Sequence, residues 1–258
     1  MSGFRLGILA ALGLLYLLCL VLAPAGALDM LPLGQPFRAP SLAHPLGTDD
    51  LGRDLLAALA QGGRTSLFVA AIATLLALGV GGIVGLAAGL GPSLLDEALM
   101  RAADIVLSLP ALLVAILVAS LFGGSALGLA LVLGLTRWPV IARLVRAEAL
   151  ALRGTDFVRA AVALGTPPVL LAMRHVLPHA RPALLSAAGI VFGGAILAES
   201  ALAFVGLGDP HLTSWGQLIA SGYSFVAHAW WMWAFPAMAL SGASALVALL
   251  ADREVREA

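Results

Sequence analysis

The sequence predicts an all-helical, polytopic membrane protein with six spans, and three observations carry that expectation. Of its 258 residues, 61% are hydrophobic and 11% charged, with a mean hydropathy of +1.04; that balance leaves too little polar surface for a water-soluble domain of this size. Charge-free apolar runs recur at lengths suited to the roughly 20 residues a helix needs to cross about 30 Å of hydrocarbon. The arginines gather between those runs, and six of the fourteen lie in one polar island, Arg143 to Pro182.

Taken in order, Leu6 to Ala23 is the first run. Arg5, the apolar stretch and Ala25-Gly26-Ala27 together resemble a secretory signal, but the run exceeds the usual core of about 7–15 residues, so an uncleaved helix is expected. Pro24 to Gly63 is rich in Pro, Gly and Asp and reads as a loop; within it, Asp49, Asp50, Arg53 and Asp54 can pair and cap a helix over Leu55 to Ala60. Ser66 to Gly91 is the second span. Ile105 to Thr136 is too long for one span, and Phe122-Gly123-Gly124-Ser125 is a turn signal, so it divides into spans at about 105–122 and 126–142. Ala183 to Ala198 is the fifth span, Leu212 to Ala229 an interfacial approach, and about 230–250 the sixth.

Orientation follows from the arginines, which accumulate on the cytoplasmic side. With the N-terminus inside, ten fall inside (Arg5, Arg101, Arg143, Arg146, Arg153, Arg159, Arg174, Arg181, Arg253, Arg256) and three outside (Arg38, Arg53, Arg64). Both termini and the island are therefore expected to be cytoplasmic. The chain divides into residues 1–65, the first helix with its external loop, and 66–258, a membrane core carrying a cytoplasmic loop at about 143–182. Net charge is zero, which predicts no nucleic acid partner, and the single cysteine, Cys19, excludes a disulfide framework and a cysteine-based metal site.

Inside the island, Thr155 or Asp156 can N-cap a short helix that ends at Gly165, a position suited to left-handed backbone. Thr166 can cap a second helix with Pro167 in its first turn, and Pro178 is expected to stop it. Two short helices at a fixed elbow form a knob suited to a groove in another protein.

These residues resemble a known family. Ala160, Ala161 and Gly165, followed by Leu177 and Pro178, match the spacing of the EAA loop of ABC importer permeases; Arg159 stands where that motif usually has Glu, and His175 where many members have Ile. A second stretch, His44-Pro45-Leu46-Gly47-Thr48-Asp49-Asp50-Leu51-Gly52-Arg53-Asp54 and then Gly63-Arg64-Thr65-Ser66-Leu67, looks like the signature of dipeptide, oligopeptide and nickel permeases of the DppC, OppC and NikC type. A third, Glu199 to Gly208 followed by Ser214-Trp215-Gly216, is similar to that subfamily's ESxLSFLGLG and SWG segments.

The resemblance implies the type I ABC importer permease fold and a bacterial inner-membrane location. It further implies a heterodimer with a second permease, two ATPase subunits that hold ATP and Mg, an external solute-binding protein, and coupling through the loop that holds Asp156, Arg159, Ala160, Ala161, Gly165, His175, Leu177 and Pro178. The solute would be a peptide, nickel or a metal chelate. The external signature would serve either the fold or contact with the binding protein. Independently of any resemblance, the chain has no G-x-x-x-x-G-K-[ST] and no Lys, so it carries no phosphate loop of its own. The alternative is an ion-coupled transporter or channel acting without an ATPase; it calls for intramembrane acids, and the second, third and sixth spans have none.

Several further features have competing readings. Gly81, Gly85 and Gly89 form a small-residue face for close helix approach, either within the chain or to the second permease. Gly189 and Gly193 pose the same choice. Glu199, about 24 Å from Ala183 at 1.5 Å per residue, either lines the external mouth or pairs with a neighbouring helix. Arg137 is expected to snorkel. His44, His211 and His228 share no metal-ligand spacing, no metal site is expected, and Trp215, Trp230, Trp231 and Trp233 are expected in an external aromatic belt. Ser244 has no partnered base in the sequence, which leaves an intramembrane hydrolase without support.

Overall fold

The computed structural model describes residues 34–256. The predicted first helix, Leu6 to Ala23, lies outside the described residues. Nine α-helices follow among those described: α1 (Leu55–Leu90), α2 (Ser93–Ser108), α3 (Ala111–Phe122), α4 (Ala126–Arg153), α5 (Asp156–Ala163), α6 (Pro168–Leu171), α7 (Leu177–Phe204), α8 (Trp215–Tyr223) and α9 (Trp231–Arg256), with a π-helical turn, Ala172–Val176, between α6 and α7. Among the described residues the β-pairing is one isolated bridge, Thr48 to Asp54.

Three stretches are long and apolar enough to cross a membrane: α1, α4 and the continuous rod Pro168–Phe204. The α2–α3 pair qualifies jointly but bends by 75°, and the apolar part of α9, Trp231–Val247, is shorter. The expected span at 105–122 is therefore corrected to a broken one. Pro110 has no N–H to give and disfavours helical backbone at the residue before it; Leu109 is accordingly extended, at φ −86° and ψ 126°.

The second span also starts earlier than expected. α1 has 36 residues, roughly 54 Å at 1.5 Å per residue, and it runs straight through Gly62 and Gly63. A division at residue 65 would cut this helix. Asp54 caps it, its Oδ1 accepting from the backbone N–H groups of Leu56 at 2.9 Å and Ala57 at 3.3 Å; a capping carboxylate satisfies donors the first turn leaves open.

α1 and α4 run parallel in close contact, and the glycine face explains how. A Cβ on Gly81 would lie 2.6 Å from Ile141 Cβ, one on Gly85 2.7 Å from Val145 Cβ, and one on Gly89 2.5 Å from Ala149 Cβ. Contacts step along both helices in the same register, so the small-residue face serves packing within the chain. The main core lies toward the loop end, where α1, α3, α4, α7, α8 and α9 converge on residues such as Val69, Leu133, Ile196 and Met232.

The expected stop at Pro178 does not occur. In the π turn the Leu177 N–H donates to the Ala172 carbonyl five residues back, and Pro178 falls in the first turn of α7, where a missing N–H is tolerated. The wider turn lets the chain pass from the polar island into the membrane without a break. One further boundary shifts by a residue: Pro167, not Thr166, is the cap of α6, with Pro168 in its first turn.

Candidate functional site

At the loop end, Glu199 is 2% exposed and lies between helices. Ser66 Oγ on α1 donates to Glu199 Oε2 at 2.9 Å, and Ser200 Oγ donates to the same oxygen at 3.2 Å. Ser66 Oγ in turn accepts from the Trp215 N–H of α8 at 3.2 Å. The carboxyl ties α7 to α1, and through Ser66 to α8. Trp215 Nε1 adds a bond to the Leu59 carbonyl at 2.8 Å.

The His44 to Asp54 stretch folds into a knot above the start of α1. Asp49, 4% exposed, accepts from the N–H groups of Leu51 at 2.9 Å and Arg53 at 2.8 Å through Oδ1 and from Arg53 Nε at 2.6 Å through Oδ2. His44 Nδ1 meets Asp54 Oδ2 at 2.9 Å. Thr48 is fully buried; its hydroxyl accepts from the Arg38 N–H at 2.8 Å and donates to the Gln35 carbonyl at 2.9 Å. Gly47 and Gly52 have φ of +82° and +76°, which explains two of the motif's glycines, while Pro45 is exposed. The knot is fastened to α9 by Trp231 Nε1, which donates to the Thr48 carbonyl at 3.2 Å. Trp215 and Trp231, 2% and 7% exposed, are thus core side chains; the aromatic belt expected of them is corrected, because each indole N–H is used inside the protein. Trp230 is exposed.

At the opposite end, three island arginines are engaged with neighbouring helices. Arg146 grips Asp96 of α2 with two bonds, Nη2 to Oδ2 at 2.7 Å, Arg143 pairs with Asp104, and Arg153 donates to the Gly89 carbonyl at the end of α1 at 3.0 Å, where a cation also meets the negative end of the helix dipole. Arg159, Arg174 and Arg181 are exposed. The knob is α5, its turn and α6. The Gly165 N–H donates to the Val162 carbonyl at 2.9 Å and the Thr166 N–H to the Ala161 carbonyl at 3.0 Å, a Schellman closure with Gly165 at φ +82°. Thr155 is the residue before α5, but its hydroxyl donates back to the Leu152 carbonyl.

Val158, Leu171 and Val176 pin the knob against Ala149 and Leu152, and the Phe157 and His175 rings lie 5.6 Å apart. On the outer face Leu164 is 87% exposed, Val169 75% and Met173 61%. Asp156, Arg159, Ala160, Gly165 and Pro178 are exposed; Ala161, His175 and Leu177 are half-buried. The residues expected to act together are therefore gathered at one end of the molecule.

The family model described as the binding-protein-dependent transport system inner membrane component matches residues 81–256. The chain belongs to this family. Among its relatives, a Brucella suis protein named as a peptide transport system permease is 36% identical over 255 residues, covering 97% of this chain and 85% of that protein. An Escherichia coli K12 protein named as a D,D-dipeptide transport system permease is 34% identical, covering 78% of this chain and 68% of its own. An inward-facing structure of the MetNI methionine ABC transporter superposes with a TM-score of 0.65 at 19% identity, covering 78% of this chain and 95% of that one; it supports the fold. The permease is thus an inner-membrane component of a binding-protein-dependent transport system.

Ser66 was visible in the permease's motifs only as part of a pattern; nothing in a linear sequence shows that it faces Glu199. Arg137 is the larger surprise. Its guanidinium lies beside Gly194 of α7, where an added Cβ would be 3.4 Å from Nη1. Side chains lean toward the N-terminus of their own helix, which for α4 is away from the arginine-rich end.

Proposed function

We propose that the knob formed by α5 and α6 docks into an ATPase subunit, and that α4 and α7, which enter and leave it, carry the resulting motion to a path for peptides. The observation that carries this reading is the apolar outer face of the knob, with Leu164 almost fully exposed at an end of the molecule that otherwise ends in ion pairs. An exposed apolar patch rimmed by polar residues marks a protein interface. Asp156, Arg159, Ala160, Ala161, Gly165, His175, Leu177 and Pro178 would meet or position that partner, in the cytoplasm of a bacterium.

ATP and Mg would then bind to the partner subunits, a second permease would complete the path, and an external binding protein would deliver the solute near His44 to Asp54. The names of the relatives support peptides; nickel or a metal chelate is the other solute class to be tried. The test is reconstitution of the chain with its second permease, ATPases and binding protein in liposomes, comparing uptake of a di- to pentapeptide mixture and of nickel with ATP and with a non-hydrolysable analogue. Peptide uptake that requires hydrolysis is expected. Uptake by this chain alone, indifferent to ATP, would sink the reading.

A further inference from the structure

Arg137 lies well inside a span, and no carboxylate among the described residues pairs with it. It lies six residues before Arg143, about 9 Å deeper at 1.5 Å per residue, and between the levels at which α4 meets Ala73 and Gly81 of α1. The pairs that engage Arg143 and Arg146 belong to the end of the helix. No ion pair or hydrogen bond involves Arg137 among the described residues.

Its surroundings form a notch. An added Cβ on Gly194 would be 3.4, 3.6 and 3.7 Å from Nη1, Nη2 and Cζ, so the guanidinium lies against this glycine. On the preceding residue, Gly193, a Cβ would sit 3.6 Å from Ser244 Oγ of α9. Ile190 and Leu197, one turn to either side on α7, are 68% and 48% exposed. Between these two bulky side chains the glycines leave a step in the surface of α7. A guanidinium facing lipid is costly, so the face of α7 that carries this notch looks onto water or a polar solute.

We propose that Arg137 is an anion-binding group of the translocation path, taking the carboxylate of the passing solute over the Gly193–Gly194 notch. The planar fork of Arg suits a carboxylate bidentately. This rests on the importer reading and adds to it the residue that meets the solute inside the membrane.

Two measurements on the full reconstituted complex test it. In the first, R137Q is expected to lower the kcat/KM for ATP-driven uptake of tri-L-alanine by about 10-fold or more, the loss of a charge-assisted bidentate contact, with R137K retaining more than R137Q. Gly194→Leu, which fills the notch, should act like R137Q. In the second, R137C in a Cys19→Ser background is expected to react with a water-soluble, membrane-impermeant thiosulfonate. No reaction at Cys-substituted position 137, or unchanged uptake in R137Q, overturns the proposal. Loss of the second permease on co-purification of R137Q also overturns it, because Arg137 would then be an inter-subunit ion-pair partner. A wild-type complex without ATP-driven peptide uptake counts instead against the importer reading, and the thiol reaction still decides whether Arg137 lines an aqueous path.

Discussion

Glu199 shows how a single carboxyl can hold three helices. With Ser66 and Ser200 both donating to Oε2 and the Trp215 N–H donating to Ser66, removal of one member leaves its neighbours unsatisfied in a dry site. Interhelical hydrogen bonds in membranes contribute about 1–2 kcal/mol in favourable cases, and an orphaned buried polar group costs a similar roughly 1–3 kcal/mol. Ser66→Ala is therefore expected to destabilise the detergent-solubilised protein by about 1–2 kcal/mol, and Glu199→Ala by more. Thermal unfolding followed by tryptophan fluorescence reads this directly, since Trp215 sits on the node; unchanged midpoints for both variants would show that the node is incidental. Gly47 presents a different kind of constraint. At φ +82°, with an added Cβ 2.6 Å from the Arg38 carbonyl and 2.8 Å from Trp231 Nε1, alanine meets both left-handed strain and backbone that cannot step aside.

Helix pairing follows from spacing alone in one place and defeats it in another. Gly81, Gly85 and Gly89 repeat every four residues, so they share a face whatever lies opposite; the structure adds only that α4 is the partner. Gly79 and Gly82 have nothing within 4 Å of an added Cβ. Gly85→Leu is accordingly expected to abolish accumulation of folded protein in the membrane, while Gly82→Leu is tolerated; equal yields would mean that the α1–α4 seam is looser than its geometry. The break at Pro110 is harder to read because run length and charge, which find spans, are blind to the direction of the chain. Pro178 misleads in the opposite sense: a proline ends a helix only if the turn before it keeps α-helical pitch, and the π turn Ala172–Val176 removes that condition. The Gly165 elbow was legible, since a glycine after an alanine-rich turn and before two prolines has few other uses. Its surroundings are open, with nothing within 4 Å, and Asp is among the residues that visit left-handed backbone. Gly165→Asp should thus insert and fold normally yet uncouple ATP hydrolysis from transport, and normal coupling in the reconstituted complex would move the docking surface elsewhere.

Considered whole, the molecule is fastened by buried polar groups at the loop end, while at the other end the knob stands beyond the bonds of Arg143, Arg146 and Arg153. At the loop end, Glu199 with Ser66 joins α7 to α1, Trp215 Nε1 joins α8 to α1, Trp231 Nε1 joins α9 to the knot at Thr48, and Asp209 Oδ2 accepts the Ala126 N–H at 2.9 Å to bind the start of α4 to the chain after α7. At the arginine-rich end, α5 and α6 rest on a small apolar cluster around Val158 and Leu171, with most of their other side chains exposed. Local opening requires the least free energy where few apolar contacts and few shielded backbone bonds are lost. Amide exchange measured on the permease pair without its ATPases should therefore be fastest, among the helices, over residues 156–171 and slowest over 58–66 and 196–202, by a factor on the order of 100 or more. Adding the ATPase subunits should slow exchange over 156–171 and leave the loop end unchanged. That pattern is what a rigid lever with a dockable tip requires. A knob already as protected as the Glu199 node, or one that ATPases leave untouched, would place the energy input at some other surface.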